Sequence, residues 1–354
     1  MEHGVNTTER YFAAANGYGG FKSYFREVFA SEEYDKIFVL KGGPGTGKSL
    51  MMKRLENHFA SKGYRTEAIF CSSDPHSLDG VIIYSENKKC AMLDGTAPHE
   101  RDAVIPGAID EIVNLGVGWE DKFLVSQKEK ILSLGKEKSA AYKTAYEYLA
   151  LAGEANAIME RTKRLRVDKS AFLCLKKAIL EKIRDTKCGR ISTRLVSSFG
   201  RYGSYKLDTA EKRADNVISI GGSNAITGMI MRHVADELSA RGAEMIVLPS
   251  ATDGSLIDGV ILNGGKTALL TGEGGAAIDT SKIISEEPAD KERARVAEEI
   301  YKTAMLEAER WFKIASDFHF RLEKIYTGAM NFEENDKIFV SCREKIENIL
   351  NSDA

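Results

Sequence analysis

The stretch that constrains this chain most is Lys36-Ile-Phe-Val-Leu40 running directly into Lys41-Gly-Gly-Pro-Gly-Thr-Gly-Lys-Ser49. A short apolar run of β-prone residues ahead of a glycine cluster predicts a buried strand that ends in a tight loop. Beyond the loop, Met52, Leu55 and Phe59 recur at helical spacing among charged residues, and Gly63 stands where a helix C-cap belongs. Strand, glycine loop and helix in that order place the loop at the C-terminal edge of an α/β sheet.

Three further apolar runs, Ala68-Ile-Phe-Cys71, Val81-Ile-Ile-Tyr84 and Cys90-Ala-Met-Leu93, extend the pattern. They are expected to alternate with helix or loop as in a mainly parallel sheet with flanking helices. From about 120 to 184 the chain turns Ala-rich and Lys-rich with few glycines and no proline, which predicts two or three long helices. These are expected to pack on the sheet as an appendage, with a projecting partner surface as the other arrangement.

An internal repeat governs the second half. With Gly42 laid on Gly221, an offset of 179 runs without a gap to Ile82 on Ile261, and nine of those 41 positions are identical. Arg10 to Phe21 resembles Arg194 to Tyr205, and Tyr142-Lys-Thr-Ala145 recurs as Tyr301-Lys-Thr-Ala304. The chain therefore reads as two α/β units, 1–188 and 189–354, each a sheet followed by a helical segment. A chain of 354 residues with 43% hydrophobic content has enough apolar material for two such cores.

The glycine cluster carries the chemistry. Gly42-x-x-x-x-Gly47-Lys48-Ser49 satisfies the P-loop (Walker A) pattern in full. In such a loop, glycines turn backbone N–H groups toward phosphate oxygens at the positive end of the helix. The candidate nucleotide-binding residues are Gly43, Pro44, Gly45, Thr46, Gly47, Lys48 and Ser49, with Lys48 neutralising phosphate charge and the Ser49 hydroxyl binding Mg²⁺. Lys41 flanks the loop. The second Mg²⁺ ligand should be an acidic residue ending a buried strand, and Cys90-Ala-Met-Leu-Asp94 supplies Asp94 as the Walker B candidate. Gly95 follows where ATPases commonly carry a glutamate that polarises water, so a base must come from elsewhere. Two loops offer candidates, 72–79 with Asp74, His76 and Asp79, and 95–102 with His99, Glu100 and Arg101. Glu100 or His99 would orient water in a hydrolase, Asp74 or Asp79 would take an acceptor's proton in a kinase, and Arg101 would stabilise developing phosphate charge.

In the second unit Thr227 and Gly228 stand in place of Lys48 and Ser49, and a two-residue shift puts Thr271 in place of Asp94. Tight Mg·ATP binding is not expected there, although Asp253, Asp258 and Gly259 persist at the places of Asp74, Asp79 and Gly80. The persistence of that loop in a unit without phosphate chemistry points to a partly structural role for Asp74 and Asp79.

With 50 Lys plus Arg against 52 Asp plus Glu, the net charge of -2 provides no general attraction for nucleic acid or anionic lipid. Five scattered cysteines form no metal-binding spacing. Without a long apolar run or an apolar N-terminal stretch, a cytoplasmic location and no membrane partner are expected.

On Lys41 to Ser49, the Asp74 and Asp79 loop, and Asp94-Gly-Thr-Ala-Pro-His99, the chain resembles the P-loop NTPase superfamily. Within it, the chain is similar to a bacterial group of tandem-duplicated P-loop proteins described as ATPases. The resemblance implies ATP binding, with Mg²⁺ expected at Ser49 and Asp94, and the lack of a guanine-reading segment after the loop disfavours GTP. The expected function is a slow or partner-stimulated ATPase with one competent site. A kinase for a nucleotide or other small molecule and an ATP-sensing interaction protein are the alternatives. Protein partner, phosphate acceptor and oligomeric state stay open.

Overall fold

The structure, a computed structural model, describes residues 8–164, 167–183, 186–222, 224–272, 278–284 and 288–352. Ser223, in the second glycine loop, and the first seven residues lie outside them.

The first half opens with β1 (Thr8–Phe12), a hairpin of β2 (Ala14–Gly17) and β3 (Gly20–Ser23), and the short α1 (Phe25–Val28). Then come β4 (Lys36–Lys41), α2 (Lys48–Ser61), β5 (Arg65–Phe70), β6 (Leu78–Tyr84), β7 (Lys89–Asp94) and β8 (Asp110–Asn114). The six-stranded sheet has the order β1-β5-β6-β7-β4-β8. Met51, Met52, Leu55 and Phe59 form the buried stripe of α2, and Gly63 adopts φ +87 just beyond the helix.

Helical segments follow as α3 (Asp121–Ser126), α4 (Lys128–Arg164) and α5 (Lys169–Lys182). The second half repeats the plan with β9 (Ile191–Thr193), a hairpin of β10 (Ser197–Gly200) and β11 (Gly203–Lys206), α6 (Thr209–Arg213), β12 (Asn216–Gly221) and α7 (Asn224–Ala240). It continues through β13 (Met245–Pro249), β14 (Ile257–Leu262), β15 (Thr267–Thr271), β16 (Ile278–Asp279), α8 (Pro288–Gly328) and α9 (Phe332–Asn351). Its sheet order, β9-β13-β14-β15-β12-β16, matches the first strand for strand.

Both sheets are mixed. β6 runs antiparallel to β5 and β7, and β14 to β13 and β15, whereas the remaining neighbours are parallel. Each sheet is mostly parallel as expected, but the strand direction reverses within 68–93 for a geometric reason. The segments joining β5, β6 and β7 are too short for a crossover, and a short connection returns the chain antiparallel. The registers also correct one alignment. Arg10 faces Ala68 and Thr193 faces Val247, and the hairpins close at Gly17 with Gly20 and at Gly200 with Gly203. The N-terminal segments therefore correspond at an offset of 183, one residue from the match that pairs Arg10 with Arg194.

The long helices belong to both halves. α4 and α8 lie antiparallel, with Leu134 clustered beside Leu322 and Ile325 at one end and Leu149 beside Ala308 further along. At 37 and 41 residues they span about 55 and 60 Å. α4 delivers α5 to the second sheet, where Phe172 and Ile179 join Ile218, Ile226 and Val234. α8 delivers α9 back to the first, where Phe339, Cys342, Ile346 and Leu350 join Phe38, Leu40, Met52 and Leu55. Burying each large apolar side chain of this kind contributes about 1.5–3 kcal/mol. A further core, with Phe12, Val39 and Leu93 from one half and Leu195, Leu248 and Leu270 from the other, fuses the units. The β2–β3 tip sits on the carbonyls of Ala251 and Thr252, and the β10–β11 tip sits reciprocally on those of Ser72 and Ser73, each contact closing over a glycine, Gly17 or Gly200. No helix among the described residues is long and apolar enough to cross a membrane.

Candidate functional site

The loop 42–47 bridges the end of β4 to the start of α2, and β4 lies between β7 and β8. Gly45 and Gly47 have φ of +74 and +85, a region that costs residues with a Cβ about 1–2 kcal/mol. Gly47 is the N-cap of α2, and no side chain caps the first turn. Uncapped N–H groups at a helix start, together with the helix dipole, make a natural seat for an anion.

Lys48 and Asp94 come together because β7 pairs in parallel with β4 and sets Asp94 opposite Leu40. The Lys48 ammonium is 3.6 Å from Asp94 Oδ2 and donates to the carbonyls of Gly42 at 2.8 Å and Gly43 at 2.9 Å. Asp94 Oδ1 accepts from the Thr96 N–H at 2.8 Å and its hydroxyl at 2.6 Å, which fixes the carboxylate's rotamer. The Ser49 hydroxyl accepts from the Leu78 N–H at 2.9 Å, at the start of the strand beside β7. Lys41 points away from the loop, donating to Gly95 O and pairing with Asp102.

The other sequence candidates disperse. His99 is buried, 3.0 Å from the Asp79 carboxylate, stacked on Phe25 and tilted against Phe21. Glu100 is exposed. Arg101, expected to face phosphate, is instead buried among Phe29 O, Ser31 and Asp110. The physical reason is that Asp110 lies fully buried on β8 and draws the guanidinium into an ion pair. Asp74 closes its own turn by accepting from the His76 N–H.

What the sequence reading missed comes from the far half. α8 lies across the loop: the Thr327 hydroxyl donates to Gly45 O at 3.3 Å, and the Glu323 backbone carbonyl and Cγ lie against Gly45. On α9, the buried Asn335 amide donates to Thr46 O at 2.6 Å. Trp119 and Tyr326 pack on Gly43, and Trp119 borders a cleft of about 350 Å³ between segments 117–120 and 328–334. Burial first, then Lys138 and Lys48, lower His319 to about 4 against the opposing pull of Asp74. Glu323 is pushed up by burial and Asp74, with Lys48 pulling the other way. Nothing in the periodicity of α8 reports which of its faces crosses the loop.

The corresponding place in the second half is filled. Thr227 is buried, and the Leu256 side chain packs on Gly228, where the first half has the Ser49 hydroxyl. Thr280 donates from both its N–H and its hydroxyl to Gly221 O, and its hydroxyl oxygen closes on Gly222. Thr271, at the place of Asp94, donates to Asp258 O.

No family model matches this chain, and no curated protein or solved structure matches it.

Proposed function

We propose that the chain is a Mg·ATP-binding P-loop ATPase with a single competent site in its first half, the second half serving as scaffold and cover. One observation carries the reading: lysine, serine hydroxyl and carboxylate gather around the glycine loop of the first half, while threonine, glycine and threonine occupy the same places in the second. The loop N–H groups receive the phosphate oxygens. Lys48, which turns back onto two carbonyls of its own loop, swings to the β- and γ-phosphates. One hydroxyl and one carboxylate suit Mg²⁺, which prefers few protein ligands and keeps its waters. An ion held there by Ser49 and Asp94 would supply charge neutralisation for the phosphate groups. Ser49 can serve it while still accepting from Leu78, because a hydroxyl has two lone pairs.

The test is equilibrium binding and single-turnover hydrolysis of labelled ATP with Mg²⁺, comparing wild type with Lys48→Ala. Wild type should bind and release phosphate, and the variant should lose both by at least tenfold; equal behaviour sinks the reading. Transfer of label to a metabolite instead of water identifies a kinase, and binding without turnover identifies a sensor.

A further inference from the structure

The reaction needs a group to take the proton of the attacking water. Gly95 follows Asp94, and a Cβ there would run into Val39 and the Arg101 carbonyl. Among the described residues of the first half, His99 is committed to Asp79 and Asp74 to its own turn, while Glu100 is exposed. Glu323 differs from all of these. Its Cγ and backbone carbonyl rest on Gly45, one helical turn before Thr327, which bonds the same residue. Among the described residues no hydrogen bond or ion pair engages its carboxylate, although Lys48 of α2 and Asp74 of the β5–β6 loop face it. His319 lies on the preceding turn of α8, where burial and Lys138 of α4 favour its neutral form.

We propose that Glu323, carried from the second half on α8, is the general base of the first half's site; this rests on the ATPase reading above. Water attacks the γ-phosphorus as the bond from that phosphorus to the bridging β-oxygen breaks. The electron pair of the broken bond stays on ADP, and the water's proton passes to the Glu323 carboxylate and then to solvent. Burial and Asp74 raise Glu323 above the ordinary carboxylate range, which brings a base nearer its working pH.

The experiment is ATP binding and single-turnover hydrolysis across pH on full-length wild type, Glu323→Gln, Glu323→Asp and Lys48→Ala, with thermal melts of each. Glu323→Gln should bind Mg·ATP within about threefold of wild type, hydrolyse it about 10²–10⁴-fold more slowly, and lose the acidic limb of the rate profile. Glu323→Asp should recover part of the rate. Hydrolysis by Glu323→Gln within threefold of wild type overturns the assignment alone, provided Lys48→Ala abolishes turnover. Loss of binding or of the cooperative melt in Glu323→Gln, with Glu323→Asp no faster, overturns it in favour of a structural role. A wild-type chain that does not hydrolyse ATP overturns both the assignment and the ATPase reading.

Discussion

Gly45 shows how one residue answers two demands. Its φ of +74 is a local requirement of the loop, and the Thr327 hydroxyl and Glu323 carbonyl stand where a Cβ would go. Gly63 shares the first demand, with φ +87, but nothing lies within reach of a Cβ there. Gly63→Ala should therefore cost about 1 kcal/mol and leave nucleotide binding unchanged. Gly45→Ala should cost at least about 2 kcal/mol and lower ATP affinity more than tenfold, because α8 must back away from the loop. Denaturant unfolding together with equilibrium binding separates the two, and equal behaviour of the variants would show that α8 does not press on the loop. The positive φ was legible in the glycine pattern; the pressure from residue 323 was not.

At the scale of elements, the exchange of terminal helices decides what can fold alone. α9 completes the core around Phe38 and Met52, and α5 completes the one around Ile218 and Val234. A fragment of residues 1–188 thus lacks its own cover and exposes the face that Phe339 and Ile346 occupy. Each of the fragments 1–188 and 189–354 should show a weak or absent cooperative transition in isolation, and mixing them should restore one transition, read by circular dichroism and analytical sedimentation. Two independently cooperative fragments would refute the exchange. Helical periodicity announced the helices themselves. It carried no information on their destinations, since an apolar stripe fits either of two sheets with the same strand order.

For the molecule as a whole, the seam between the halves is apolar with a buried ion pair set into it. Glu67 on β5 accepts from Arg194 at 2.9 Å and from the Tyr84 hydroxyl at 2.7 Å. Burial alone would raise the Glu67 pKa, but Arg194, Arg65 and Tyr84 outweigh it and hold the group at about 2. A depressed folded value stabilises the protein above the unfolded pKa of 4.5 and loses that contribution as pH falls toward 2, amounting to about 3 kcal/mol. Glu9, raised by burial and by Glu67, works with the opposite sign. Stability measured by denaturant unfolding should fall between pH 4.5 and 2 in wild type, and the Glu67→Gln, Arg194→Met double variant should flatten that slope; identical slopes would contradict the pair's role. Removing Arg194 alone leaves the buried carboxylate to Arg65 and the Tyr84 hydroxyl, and should cost less than the roughly 3–5 kcal/mol of a carboxylate left with no partner.

The sequence by itself determined the strand, loop and helix at 36–61, the glycines at special φ, the repeated unit and the loss of lysine, hydroxyl and carboxylate at Thr227, Gly228 and Thr271. The first two are local, resting on backbone sterics and on apolar spacing within a dozen or so residues; the repeat and the losses come from comparing one half of the chain with the other. Only the tertiary structure decided that β6 and β14 reverse direction, that Arg101 pairs with Asp110, that α5 and α9 cross to opposite sheets, and that Glu323, Thr327 and Asn335 close over residues 43–47. The Arg101–Asp110 pair spans only nine residues and the strand reversals follow from short connections, but the helix destinations and the cover over the loop join positions up to hundreds of residues apart, and they arise from which apolar faces find each other when the two halves fuse, which no short window of sequence records.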